Sequence, residues 1–257
     1  MKVILFAVGC SALVACGADQ SSSSGSDTQE IVENLVAVGF PANDIQVVDG
    51  KVYTGRDAEV SLEASREMLQ RDASDEDEQY RTTNLVGSSI TNICINGAAF
   101  SGTFSTALNN AISNYNALGL RWHMTRTSGS TAGCSATITA KLTTGAGGVS
   151  GFPSGGRPYN TINIGSDTSQ YGVNTTTHVI THELGHTVGF RHSDYYNRAI
   201  SCGGSASNEG DGGVGAILIS GTPSNATVGG SIMNSCFRAS ETGKFTSTDK
   251  TALNALY

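Results

Sequence analysis

Residues 182–192 read His-Glu-Leu-Gly-His-Thr-Val-Gly-Phe-Arg-His, and no other stretch constrains the chain so tightly. His182 and His186 are four apart, so on a helix they lie one turn above each other on one face and can reach one metal ion. Glu183 stands beside the first histidine, placed to take a proton from water at that metal. Gly189 follows His186 by three residues; glycine tolerates the left-handed backbone that ends a helix, and the turn brings His192 back as a third ligand. Three protein ligands leave one tetrahedral position for water, the layout of a catalytic rather than a structural zinc. The helix is expected to start near Thr175, capped by Asn174 or Thr175. His178, one turn before His182, and His123, beside Trp122, read as core or strand histidines rather than ligands.

The pattern HExxHxxGxxH is the signature of metzincin zinc peptidases, and the chain resembles that class. The surroundings TTTHVITHELGHTVGFRHSD, NEGDGGVGA, ISGTP and SIMNSC are most similar to the bacterial dual-action HEIGH metallopeptidase family. The resemblance implies an α+β (mixed α/β) zincin. Its parts are a twisted, mostly parallel sheet with an antiparallel edge strand, an active-site helix, a Met-turn and a C-terminal helix. It implies that the strand just before the active-site helix, YNTINIG, is the sheet edge lining the cleft. An extended peptide can add to such an edge through main-chain hydrogen bonds. It casts Met233 as the apolar floor beneath the histidines and Asp194 as an anchor of the turn under the metal. Astacins and serralysins carry a tyrosine two residues after that methionine; Ser235 stands there in this chain. Stabilisation of the transition state would then fall to zinc, to backbone donors or to another side chain.

The implied activity is that of a zinc endopeptidase with one catalytic Zn2+, Glu183 as general base and then acid, and protein or peptide substrates. Two other readings stay open: a surface binding protein that keeps the fold without turnover, and a cell-wall amidase using the same chemistry.

Charge divides the chain. Residues 17–80 carry 15 acidic against 4 basic side chains, a balance of −11, while residues 81–257 carry 10 basic against 7 acidic, or +3. There is no basic run and no basic-aromatic patch, which argues against nucleic-acid binding. The division suggests four parts: a signal peptide over 1–15, a lipidated cysteine and Ser-rich linker over 16–28, an acidic pro-segment-like unit over 29–80, and a metzincin catalytic domain over 81–257. The leader VILFAVGCSALVA is too short to span a membrane stably, and Leu13-Val14-Ala15-Cys16 resembles the bacterial lipobox. An exported, lipid-anchored outer-membrane or cell-surface monomer is expected; a plain signal peptide cut nearby is the alternative.

In the acidic unit, helical spacing marks a helix through Ile31, Val32, Leu35 and Val36 up to Gly39. Asp49-Gly50 marks a hairpin between IQVV and KVYT, and residues 58–71 read as a helix through Val60, Ala64 and Met68. The run DASDEDEQ reads as exposed. Tyr53-Thr54-Gly55-Arg56-Asp57 is similar to the astacin propeptide motif FxGD, with Arg56 inserted, which makes Asp57 a candidate zymogen switch; the bland alternative is a turn aspartate. Further on, strands are expected over 85–95, 120–127, 134–142 and 159–165, and helices over 103–118 and 246–257, with GAGGVSGFPSGGRP as a loop.

Four cysteines remain outside the leader and lipobox, and four allow three pairings. In an exported protein disulfides are the default. The preferred set is Cys94–Cys134 and Cys202–Cys236, each stabilising by ~3–4 kcal/mol in the chain-entropy model. Glu209 and Asp211 make NEGDGGVGA a candidate Ca2+ loop.

Overall fold

A computed structural model describes residues 21–70, 79–210 and 216–257. The leader with Cys16, the acidic run 72–78 and Asp211 lie outside the described residues.

The described residues open with α1 (Ser21–Ala37), which buries Leu35 against a hairpin of β1 (Gln46–Val48) and β2 (Lys51–Thr54). Asp49 and Gly50 both take left-handed backbone, φ 50° and 77°, as two-residue hairpin turns require. The expected helix over 58–71 is instead β3 (Ala58–Val60) followed by α2 (Leu62–Leu69). Ser61 breaks it: its Oγ accepts from Ala64 N and caps a helix that begins only at Leu62. Val60 therefore faces the small core from a strand, with Ala64 and Met68 reaching it from α2.

After β4 (Tyr80–Arg81) come β5 (Asn92–Asn96), α3 (Gly102–Asn116), β6 (His123–Thr127), β7 (Ala136–Thr143), β8 (Gly148–Gly151), β9 (Thr161–Gly165), α4 (Gly172–Thr187), α5 (Ala199–Cys202), β10 (Ile217–Leu218) and α6 (Ser247–Leu256). The apolar alternation before Asn92 is not a strand. Val86 and Ile90 are buried from irregular backbone that turns at Gly87, so alternation there serves packing rather than pairing.

Eight strands form one sheet in the order β1-β2-β3-β8-β9-β7-β5-β6. The pairs β9–β7, β7–β5 and β5–β6 are parallel, and β8 runs antiparallel to β9. The strand before α4, β9, is thus interior rather than an edge, and its outer neighbour is β8, inside the stretch expected to be a loop. Its glycines hide it from β-propensity, yet they are what the place demands. A Cβ at Gly151 would lie 2.5 Å from Glu59 O, and one at Gly148 would lie 2.5 Å from Glu183 Oε1. On its other side β8 is joined in parallel by β3, with Ala58 opposite Ser150.

Helices α3 and α4 pack on the sheet over the main core, built around Ile93, Ile138, Ile162, Leu108, Ile180 and Leu184. Helix α4 starts at Gly172 after a 3-10 turn (Ser166–Tyr171), earlier than expected. Asn174 and Thr175, the expected caps, therefore lie inside its first turns. The hydroxyls of Thr176, Thr177 and Thr181 each donate to the carbonyl four residues back, which satisfies polar groups on a helix buried nearly all round. Disulfides join Cys94 to Cys134 and Cys202 to Cys236, with Cα separations of 5.6 and 5.1 Å.

Candidate metal centre

Helix α4 carries His182 and His186 and stops at Gly189. That glycine has φ 108°, and a Cβ there would lie 2.6 Å from Asn84 O, so no other residue fits the turn without strain. The chain then runs back along Tyr80 and Thr82, through Arg191 N to Tyr80 O and Thr82 N to Gly189 O, both 2.8 Å. This delivers His192 opposite the helix.

Each imidazole is oriented from behind. His182 Nδ1 donates to Ile232 O and His186 Nδ1 to Phe190 O, both 2.8 Å, and His192 Nδ1 donates to Glu209 Oε1 at 2.7 Å. Carbonyls and carboxylates only accept, so Nδ1 is the donor in each of these contacts, and a ring that gives up a proton to bind a metal does so at Nε2. The Nε2 lone pairs are left to converge: His182 lies 3.0 Å from His186 and 3.3 Å from His192.

Asp57 completes the cluster. Its Oδ2 is 3.1 Å from His192 Nε2 and 3.8 Å from His182 Nε2, and its Oδ1 is 3.7 Å from His186 Nε2. One atom from each of the four residues falls within 4.8 Å of all the others. Oδ1 of Asp57 is buried without a hydrogen-bond partner among the described residues. Four electron-pair donors this close suit a tetrahedral cation, whose bonds of ~2.0–2.1 Å put neighbouring ligand atoms about 3.3 Å apart. Burial pushes the Asp57 carboxyl up, but the His192, His182 and His186 imidazoles outweigh it and hold it well below the usual carboxylate range. Asp57 reaches inward because Gly55 and Arg56 both adopt left-handed backbone, φ 59° and 75°. A Cβ on Gly55 would meet Glu209 Oε2 at 2.8 Å and His192 Nδ1 at 3.1 Å. The inserted Arg56 is thus absorbed as a second left-handed residue.

Glu183 is buried beside the cluster, and Ser150 Oγ of β8 donates to its Oε2 at 2.7 Å. Burial first, and the Asp57 charge second, raise its carboxyl well above the ordinary value; the Ser150 hydrogen bond partly offsets them. Met233 lies under the helix, where a Cβ on Gly185 would come within 2.6 Å of its sulfur. Asp194 ties this floor together: Oδ1 accepts from Ser235 N and Oγ, and Oδ2 accepts from Ser201 N and Oγ. Ser235 is thereby committed. Tyr195 packs edge-on against Tyr80, Tyr196 accepts from Ala226 N, and His123 sits on the far edge strand.

Several working residues escaped the sequence reading. Glu209, considered there as a calcium ligand, instead receives His192, Arg198 and Arg191. Burial pushes its carboxyl up, but His192, Arg191 and Arg198 bring it down to about 2. Arg198 Nη1 also donates to Gly55 O at 2.7 Å, and Arg191 lies over the Phe40 ring. Buried arginines look like surface ones in a sequence; only the unusual charge inside a glycine-rich loop hinted at Glu209. Ser150 and Gly148 were lost with the strand that carries them.

A cleft of about 300 Å³ opens beside Glu183, between Ala146–Gly148, helix α4 at His178 and Val179, and Asn234–Phe237, with Arg56 and Asp57 across its mouth.

Converging imidazoles, a neighbouring carboxyl and a methionine floor define a zinc metallopeptidase. The chain belongs to the family described as dual-action HEIGH metallo-peptidase, whose model matches residues 52–257. Leu184 stands where the family's description has isoleucine. Two solved structures are similar at 15% identity. One, "Structure of myroilysin", covers 68% of this chain and 95% of that chain with a TM-score of 0.42. The other, "Crystal structure of myroilysin", covers 75% and 95% with a TM-score of 0.38. No curated protein matches.

Proposed function

We propose that the chain is an exported zinc endopeptidase whose own N-terminal unit holds it latent. The observation that carries this reading is the convergence of three Nε2 atoms, with every Nδ1 engaged behind them and Asp57 at the open corner. His182, His186 and His192 would hold the metal, and Asp57 would fill the fourth place until it is withdrawn. Zinc bound there would supply Lewis acidity, polarising a peptide carbonyl and lowering the pKa of water toward ~7. Glu183 accepts the proton of the attacking water at its carboxylate and returns it to the leaving amine. Ser150 holds that carboxylate in place, and Met233 and Asp194 keep the floor beneath His182 rigid. Once β3 leaves, the main chain of β8 is free to pair with an extended peptide.

Glu183→Ala tests the chemistry: the variant keeps one zinc per chain and loses peptide cleavage, and retained cleavage would falsify the mechanism. Asp57→Ala tests latency: even with β3 still paired to β8, opening the fourth place should let the full chain cleave a short quenched peptide faster than the parent, whereas parent and variant of equal activity exclude an Asp57 switch. Anchoring through Cys16 is proposed on the lipobox alone; a lipid mass on mature residue 16, lost in Cys16→Ser, would establish it.

A further inference from the structure

Ser150 and Gly151 face opposite ways on β8, as neighbours on a strand do. Ser150 turns toward α4, where its hydroxyl meets Glu183. Gly151 turns away from the helix, and a Cβ there would lie 2.8 Å from Cε2 and 2.9 Å from Cδ2 of Tyr159. The Tyr159 ring thus lies over the strand in the space a side chain would fill, and glycine permits the approach. The ring is held from behind, because Tyr159 N donates to Thr187 O, at the end of the active-site helix, at 3.0 Å.

Opposite Gly151 stands Glu59 of β3. Residues paired across two strands point to the same face, so Glu59 also turns toward Tyr159. The Tyr159 hydroxyl hydrogen-bonds to the Glu59 carboxylate. Burial first, and that carboxylate second, push the phenol up, so it stays protonated and acts as the donor. Lys51 Nζ reaches the same carboxylate at 2.7 Å from within the N-terminal unit. The main chain seats the residue too: Ser150 N donates to Asp57 O at 2.9 Å, and Phe152 N to Glu59 O at 3.4 Å. An extended peptide would take over these amides once β3 leaves. Lys51 departs with the unit, whereas Tyr159 stays, its hydroxyl still directed at the place opposite Gly151. Residues 81–257, which stay with it, carry a balance of +3.

We propose that the place Glu59 occupies is a substrate subsite for an acidic side chain, with Tyr159 as its specificity-determining residue. Glu59 is the stand-in for that side chain, two residues along from Asp57 at the metal cluster. The direction of the peptide does not alter the assignment. Run either way, its residue opposite Gly151 points at Tyr159, because the pleat of β8 sets the face. A phenol donating to a carboxylate makes a charge-assisted bond, roughly twice as strong as one to the neutral amide of glutamine. Glutamate is therefore preferred to glutamine at that one position.

This subsite rests on the peptidase reading, and the test separates the two. The zinc-loaded full chain is cut once between residues 70 and 79 and diluted until the N-terminal unit leaves. It is offered quenched peptides identical except for Glu or Gln stepped through the positions flanking the cleaved bond. At one position the Glu peptide should be cleaved about tenfold faster. In the cut chain carrying Glu183→Ala, it should displace the labelled unit at about tenfold lower concentration than the Gln peptide. Both ratios should fall to about one in Tyr159→Phe, which keeps the ring over Gly151 and removes the hydroxyl, with zinc content unchanged. A merely structural tyrosine would alter both peptides alike. Ratios of about one at every position, an unchanged ratio in folded Tyr159→Phe, or no displacement by either peptide overturns the proposal. If Tyr159→Phe does not fold, Glu59→Gln decides: the cut chain should hold that unit about tenfold more weakly, and equal retention overturns the proposal. If only the peptidase reading fails, the Glu peptide still displaces the unit better while neither peptide is cleaved.

Discussion

Glu209 lies 17 residues beyond His192 and yet holds its ring in place. It is 1% exposed and takes two arginines besides the histidine, so its charge is compensated rather than idle. Removing a carboxylate that orients a metal-bound histidine typically costs 10–100-fold in metal affinity. Glu209→Gln should weaken zinc by about that factor in competition with a chromogenic chelator, while Asp194→Asn, one bond further back, should cost less. Gly148→Ala makes a different point. Its Cβ would fall on the Glu183 side chain, so peptide cleavage should drop on the order of 10²-fold with zinc content retained, because a 1 Å misplacement of a reacting group costs that much. The zinc signature was legible because its spacing is local: two residues share a helix face and a glycine turns the third back. Glu209 and Ser150 were not, because they reach the site through tertiary contacts that leave no periodicity behind.

Among the elements, α3 and α6 formed close to where apolar spacing put them. Helix α3 begins after Ser101, one residue ahead of the expected start at 103, and α6 begins after Thr246. Thr246 and Asp249 form a reciprocal capping box, and Asp249 also accepts from Ser231 Oγ and from the backbone of Ile232. The cap of the last helix therefore grips the turn that carries Met233. Thr246→Ala should cost about 1 kcal/mol in urea unfolding, the usual value of such a cap. The missed element was β8, where glycine serves close approach to Glu183 and Glu59 instead of strand propensity. A strand made for contact rather than for propensity reads as a loop, and without β8 in the sequence pattern β9 looks like the edge.

At the scale of the molecule, the acidic unit is stitched to the rest at many points. Ser150 N donates to Asp57 O, Gly155 N to Glu67 Oε1, Asn84 Nδ2 to Ala64 O and Arg198 to Gly55 O. Phe152 completes its core. Residues Gln79–Asn84 are threaded in on the catalytic side, with Thr82 and Thr83 buried. We infer that a single cut between residues 70 and 79 would leave the unit bound. Gel filtration of the nicked chain should return both pieces in one peak, and peptide cleavage should appear only after dilution or a second cut.

The parallel junction of β3 with β8 also bears on how the chain is made. Without residues 21–70, β8 would offer a bare row of amide and carbonyl groups beside an uncovered phenylalanine, a template for self-association. Produced from Gln79 onward, the protein should precipitate or form inclusion bodies, and supplying residues 21–70 as a separate polypeptide during refolding should raise the soluble yield.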